Sequence, residues 1–222
     1  RLTVDDIYSP SRRINFSGSP DTNITWLDPS TYLTPRRGAS GVEWLKVDAA
    51  SGRTSALFDA GPMEAALASL PGVTRDEAAE LARSSDLTLN PARTGALVTI
   101  ADDLYFYSFS SATADRLTTE PGEEEVPTFS PDGRMVGFVR GNNLYVVDIA
   151  SQREQAITTD GNRELLNGKL DWLYQEEIYG RGRFRAFWWS PNSSSVAFLQ
   201  LNERPVPEYT VIDHIPYRPI LE

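Results

Sequence analysis

An all-β chain of β-propeller blades with a short helical insertion is the fold class that three observations in this sequence predict. Landmarks recur forty residues apart, each repeat alternates β-prone runs with turn residues, and a third copy is displaced by some twenty extra residues. Asn90-Pro91-Ala92-Arg93-Thr94-Gly95 precedes the apolar run Ala96–Ile100, and forty residues on Ser130-Pro131-Asp132-Gly133 precedes Met135–Val139. Leu104-Tyr105 returns as Leu144-Tyr145, and Leu117-Thr118 as Ile157-Thr158, at the same spacing. Repeats of about 40 residues with four short strands each are the signature of propeller blades, none of which can bury its faces without neighbours. A closed propeller takes about four to eight blades and this chain holds roughly three to four, so part of a seven- or eight-bladed ring is expected.

Taken in order, Thr25–Asp28 and Val42–Asp48 read as two strands of an early blade, and Ser51-Gly52 turns the chain into a third, Thr54–Phe58. Residues 62–84 leave the β pattern. Pro62–Ala68 is helix-prone and ended by Pro71-Gly72, and Thr74-Arg75-Asp76-Glu77 has capping-box spacing before a second short helix over Ala78–Arg83. In the blades that follow, Pro-Asp-Gly supplies a turn because Pro presets φ and Gly accepts positive φ. Gly141-Asn142-Asn143 turns into Leu144–Val147, and Ala150–Arg153 turns again before Ala156-Ile157-Thr158. The third copy opens at Ser190-Pro191-Asn192, sixty residues after Pro131 is matched by Pro191, which leaves an inserted segment at about 165–185. Insertions into a regular array map to loops on one face, where function concentrates.

Composition narrows the chemistry. Hydrophobic residues at 40% and charged residues at 23% are those of a packed domain, which excludes wholesale disorder. No run approaches the roughly 18 apolar residues of a membrane span. The opening Arg1-Leu2-Thr3-Val4-Asp5-Asp6 has no apolar h-region, so no signal peptide is expected within the chain. Cysteine is absent, which removes disulfides, thiolate zinc sites and cysteine nucleophiles together. The single histidine, His214, sits in the apolar setting Ile212-Asp213-His214-Ile215-Pro216 and is expected to be structural. No Gly-x-Ser-x-Gly, His-Glu-x-x-His, Walker loop or dinucleotide fingerprint is present, so no catalytic residue, metal or cofactor is expected in this chain. A net charge of −10 argues against nucleic acid as a partner and suits a cation, including the charged terminus of a peptide.

Two acidic runs invite comparison. Glu123-Glu124-Glu125 lies between Pro121-Gly122 and Val126-Pro127, between blades, and reads as exposed loop. Glu176-Glu177 instead sits among Trp172, Leu173, Tyr174, Ile178 and Tyr179, side chains expected to anchor a short helix while the carboxylates point elsewhere. Adjacent carboxylates repel, and two cations could relieve them. One is internal, from Arg181, Arg183 or Arg185; the other is the ammonium of a ligand, held by charge-assisted hydrogen bonds.

Asp171-Trp172-Leu173-Tyr174-Gln175-Glu176-Glu177, followed by Phe187-Trp188-Trp189-Ser190-Pro191-Asn192, resembles the propeller domain of the dipeptidyl peptidase IV family. The family pattern is Asp-Trp-Val-Tyr-Glu-Glu-Glu, then Trp-Trp-Ser-Pro-Asn/Asp-Gly about a dozen residues later. General similarity runs from about residue 85 to 213, and residues 1–60 fit loosely. The resemblance implies that Glu176 and Glu177 hold the free N-terminal amine of a peptide substrate, and that Gln175 replaces a glutamate that is not a principal amine ligand. The family releases N-terminal Xaa-Pro or Xaa-Ala dipeptides, with the glutamate pair as the ruler that places the scissile bond. It also uses an arginine on a substrate carbonyl; Arg83 is the candidate here and Arg75 the runner-up. The serine, aspartate and histidine of the family lie on a C-terminal α/β-hydrolase domain, so this chain is expected to be part of a longer serine peptidase, inactive alone, homodimeric in full and periplasmic or secreted. Inactive relatives keep the glutamate motif, so a non-catalytic interaction scaffold stands as the alternative, and a tripeptidyl-releasing relative is a further one.

Overall fold

The computed structural model of the chain describes residues 3–8, 23–210, 212–213 and 220–221. They divide into two compact units, Arg1–Phe58 and Asp59–Glu222. The first contains helix α1 (Val4–Tyr8) and an antiparallel sheet of β1 (Thr25–Trp26), β2 (Thr31–Gly38), β3 (Gly41–Asp48) and β4 (Thr54–Ala56), in that order. The sequence predicts β1, β3 and β4 but not β2, whose Pro35-Arg36-Arg37 breaks the apolar pattern. Proline fits there because β1 pairs only with Tyr32 and Leu33, so no ladder bond is asked of Pro35 on that side.

The second unit opens with the helical insertion, α2 (Ala60–Ala68) and α3 (Arg75–Ala82), which pack together. Asp59 caps α2 by accepting the Gly61 N–H at 2.9 Å. At α3 the capping box forms: the Thr74 hydroxyl accepts the Glu77 N–H at 3.2 Å, and Glu77 accepts the Thr74 N–H at 3.5 Å. Met63, Leu67, Ala78 and Ala82 are the buried faces of the pair.

Two four-stranded blades follow. The first has β5 (Thr88–Leu89), β6 (Gly95–Ile100), β7 (Asp103–Ser108) and β8 (Thr113–Arg116); the second has β9 (Glu125–Phe129), β10 (Met135–Arg140), β11 (Asn143–Asp148) and β12 (Glu154–Ala156), each antiparallel and in chain order. The forty-residue landmarks prove to be hydrogen-bonding pairs. The Leu104 N–H donates to the Thr118 hydroxyl at 2.8 Å, as the Leu144 N–H does to Thr158 at 3.0 Å. The Leu117 and Ile157 N–H groups return to the Leu104 and Leu144 carbonyls, both at 2.8 Å. The turn landmarks recur three times: the N–H of Asn90, Ser130 and Ser190 each bonds the carbonyl five residues on, at 2.8–2.9 Å.

Leu97, Leu104, Leu117, Phe129, Val136, Phe138 and Val147 form one buried cluster spanning the two blades. Val139, Leu144 and Phe187 form another, which carries the second blade onto the third. In the third, β14 (Phe187–Trp189) pairs with β15 (Val196–Phe198), while β13 (Leu165–Asn167) pairs with β16 (Gln200–Asn202). The excursion from the blade therefore begins after β13, later than residue 165: Leu165, Leu166 and Asn167 are buried ladder residues. Its neck is closed where the Ala186 N–H reaches the Gly168 carbonyl at 2.9 Å and the Leu170 N–H reaches Phe184 at 2.7 Å. A last pair, β17 (Ile212–Asp213) with β18 (Ile220–Leu221), ends the described chain.

The expectation that Glu123-Glu124-Glu125 is exposed loop is corrected. Glu123 is exposed, but Glu124 is only 3% exposed and Glu125 is the first residue of β9. The guanidinium of Arg140 lies over the rings of Phe138 and Tyr145, at 5.5 and 4.5 Å from their centroids, inside the packed second blade. A cation buried there needs carboxylates, and Arg140 Nη1 takes Glu124 Oε1 at 3.0 Å and Glu154 Oε2 at 3.0 Å. Glu125 pairs with Lys169.

Candidate functional site

Between the neck residues, the chain from Asp171 to Tyr179 forms a single wide turn. Asp171 starts it, accepting the Tyr174 N–H on Oδ1 at 2.7 Å and the Gln175 N–H on its carbonyl at 3.1 Å. Tyr174–Ile178 is then a π-helical turn, with the Tyr179 N–H bonded to the Tyr174 carbonyl at 2.8 Å. Such five-residue closures occur mostly as single turns and often at functional sites. The anchoring expected of the apolar neighbours is not found for four of them among the described residues: Trp172 is 66% exposed, and Leu173, Ile178 and Tyr179 are exposed as well, while Tyr174 is half-buried. Polar contacts hold the turn instead, since Gln175 Oε1 also accepts the Gly182 N–H at 2.8 Å and so ties the turn to the loop after it.

The two carboxylates differ. Glu176 Oε1 lies 2.5 Å from Arg181 Nη2, in a pair where Glu176 is 28% exposed and Arg181 is 82% exposed. The Glu177 side chain is exposed and, among the described residues, its carboxylate has no hydrogen-bond or ion-pair partner. The internal cation therefore reaches one member of the pair and leaves the other. Arg183 and Arg185 do not join it. Both line a cavity of about 480 Å³ with Tyr179, Phe184 and Trp188, and Arg185 donates to the Thr128 hydroxyl at 3.2 Å. A second cavity, of about 400 Å³, has Asp171, Trp172 and Leu173 in its wall with Glu164, Glu203 and Val206. The turn that carries the glutamates thus contributes to two concave surfaces.

Arg83 follows α3 and pairs with Glu64 of α2 at 2.5 Å, half-buried. No hydrogen bond or ion pair among the described residues brings it to Glu176 or Glu177. Arg75 is the exposed first residue of α3. His214 lies outside the described residues. Among the described residues, no group of three or more metal-ligating side chains converges.

Sequence reasoning missed the Arg140–Glu124–Glu154 cluster, in which burial drives the Glu124 carboxyl above its ordinary value against the opposing hydrogen bond and charge of Arg140. The available signal was an arginine closing the otherwise apolar run Met135–Val139. Glu124 Oε2 is buried and, among the described residues, has no hydrogen-bond partner.

The family model described as the dipeptidyl peptidase IV (DPP IV) N-terminal region matches residues 98–218. A probable dipeptidyl-aminopeptidase B of Chaetomium globosum is 37% identical over 119 residues, covering 52% of this chain and 12% of that protein. A probable dipeptidyl peptidase 4 of Neosartorya fischeri is 45% identical over 92 residues, covering 41% of this chain and 12% of that protein. The crystal structure of Porphyromonas gingivalis dipeptidyl peptidase 4 superposes with a TM-score of 0.66 at 24% identity, over 93% of this chain and 29% of that one. That last likeness is one of fold, and the chain spans a minor part of the length of each of these proteins.

Proposed function

The chain belongs to the family of the dipeptidyl peptidase IV N-terminal region, and from that membership we propose that it is the substrate-recognition propeller portion of a serine dipeptidyl aminopeptidase. In this reading Glu176 and Glu177 anchor the α-ammonium of a peptide from which an N-terminal Xaa-Pro or Xaa-Ala dipeptide is released. The observation that carries it is the pair itself: two adjacent carboxylates on a π turn, on an excursion from a blade, one of them without a partner among the described residues. An α-ammonium has three donors and a full charge, so it can donate charge-assisted hydrogen bonds to more than one carboxylate. Fixing the terminus at a set distance from the reacting bond is how binding energy remote from the chemistry is turned into rate. The acyl transfer belongs, in this proposal, to an α/β-hydrolase domain C-terminal to the propeller in a homodimeric, periplasmic or secreted protein. Arg83 enters as a guanidinium shared between Glu64 and a substrate carbonyl, since five N–H donors leave some free beside one carboxylate.

The test uses the full-length protein. Glu176→Gln or Glu177→Gln raises KM and lowers kcat/KM on dipeptide substrates with a free amine by about 1.5–3 kcal/mol, roughly one to two orders of magnitude. Acylating the substrate amine has the same effect, and the two losses do not add. Turnover of N-acylated substrates at the full rate overturns the proposal and leaves the non-catalytic scaffold as the reading of this propeller.

A further inference from the structure

Resting on the reading of Glu176 and Glu177 as an amine-binding pair, we propose that Arg181 is a tethered counter-ion, which occupies the Glu176 half of the pair in the ligand-free protein and is displaced by an incoming ammonium. Its construction is visible in the loop. Arg181 stands between Gly180 and Gly182, whose φ values of 96° and 82° are ones that L side chains rarely adopt. A side chain added at Gly182 would meet nothing within 4 Å, so the tether is not packed against the blade. Among the described residues, the Gln175 Oε1 bond to the Gly182 N–H and the Arg183 N–H bond to the Gly180 carbonyl, at 2.8 and 3.1 Å, shape it. The Arg181 side chain is 82% exposed and, among the described residues, makes a single ion pair, at 2.5 Å, with Glu176.

Those facts fix both the strength and the direction of the device. An ion pair this open to solvent is weak, because water and salt screen it and two long side chains must be ordered to hold it. Arg181 therefore lowers the repulsion between the two carboxylates in the empty protein without sealing them. Gln175 contributes by being neutral: a carboxylate at that position would be a third acid in a row and a rival for the guanidinium, whereas the amide fastens the loop and leaves Arg181 to Glu176. A cation arriving at this site finds Glu177 open and Glu176 contested. A primary ammonium can bond both carboxylates and displace the guanidinium, while a cation with fewer donors is left with Glu177 alone. Arg181 thus acts on specificity, raising the threshold that a ligand must pass, and does so without touching the substrate.

The opposite role is a clamp, in which Arg181 holds Glu176 in its binding rotamer, and the two roles differ in sign. For the full-length protein with free-amine dipeptide substrates, Arg181→Ala is expected to lower KM about two- to fivefold with kcat unchanged, the span that an exposed pair can supply. Arg181→Lys keeps the charge and restores the wild-type KM. The gain in Arg181→Ala shrinks as ionic strength rises and is absent with N-acylated substrates. An unchanged or raised KM in Arg181→Ala, or a gain indifferent to salt or to acylation, overturns the inference. Glu177→Gln, measured in parallel, separates the two levels. If it lowers kcat/KM while Arg181→Ala fails to lower KM, the counter-ion is wrong and the amine site stands; if it has no effect, the amine site itself is wrong.

Discussion

Two acidic runs on this chain contain the same residue and have opposite fates. At Glu123-Glu124-Glu125 the chain brings its cations inward: Arg140 lies on two aromatic rings and takes both Glu124 and Glu154, and Lys169 takes Glu125. At Glu176-Glu177, among the described residues, Arg181 stands in solvent and pairs with Glu176 but not with Glu177. The difference lies in what surrounds each run. Glu124 is drawn into the apolar seam of the second blade, where an unpaired charge is prohibitive, so neutralisation accompanies folding. Glu176 and Glu177 stand on an excursion outside the ladder, where Glu176 meets one solvent-exposed guanidinium and the Glu177 carboxylate is exposed. Adjacent acids in a sequence therefore do not by themselves say whether the fold neutralises them or leaves them to solvent.

The largest break in this contrast comes from Arg140. Arg140→Ala strands two carboxylates, one of them buried, and also removes the stacking on Phe138 and Tyr145. A loss of about 3–5 kcal/mol in urea denaturation of the unit Asp59–Glu222 is expected. A loss under about 1 kcal/mol would put this cluster among solvated surface pairs and erase the distinction between the two runs.

A second effect sharpens the contrast through pH. Burial holds the Glu124 carboxyl above its ordinary value. The folded protein then keeps that proton more tightly than the unfolded chain, so the contribution of Glu124 to stability falls as pH rises from the ordinary glutamate value through the raised one. The turn aspartates act with the opposite sign. Asp48 is held below its ordinary value by the hydroxyl and N–H of Ser51, and Asp148 by the N–H and hydroxyl of Ser151. Their stabilisation is complete above the ordinary aspartate value and is lost as pH falls through the depressed one. Unfolding free energies measured for the wild type and Glu124→Gln over about pH 4–7 should diverge in slope, the wild type losing relative stability toward neutral pH. Parallel curves would mean that burial does not raise the Glu124 carboxyl.

What the sequence made legible follows the same division between local and distant partners. The blades could be read because the landmarks are partners within a repeat: Leu104 with Thr118, and Leu144 with Thr158, fourteen residues apart each time. The excursion could be read as surplus length, although β13 was placed inside it because Leu165–Asn167 find their ladder partners only at Gln200–Asn202. β2 was hidden by Pro35-Arg36-Arg37, residues whose place in a strand depends on what lies opposite. Arg140 reaches Glu124 and Glu154, sixteen and fourteen residues away, across strands, and no periodicity announces that. The motif around Glu176 is legible as a pattern, but the apolar character of Trp172, Leu173, Ile178 and Tyr179 predicts anchors without saying what they face, and all four are exposed.

The smallest effect is the most discriminating. Glu177→Gln removes one charge from an exposed carboxylate that bonds nothing else among the described residues, and Gln keeps the shape. Its effect on unfolding free energy should stay within about 0.5 kcal/mol, as for surface substitutions away from caps, cores and networks. The same variant is expected to lower kcat/KM by one to two orders of magnitude in the full-length protein. A residue that changes function while leaving stability unmoved is the converse of Arg140, whose removal is expected to weaken the blade itself. If Glu177→Gln instead costs about 2 kcal/mol or more in urea, this carboxylate has a structural partner, and the excursion is another part of the scaffold in which acids are spent on folding.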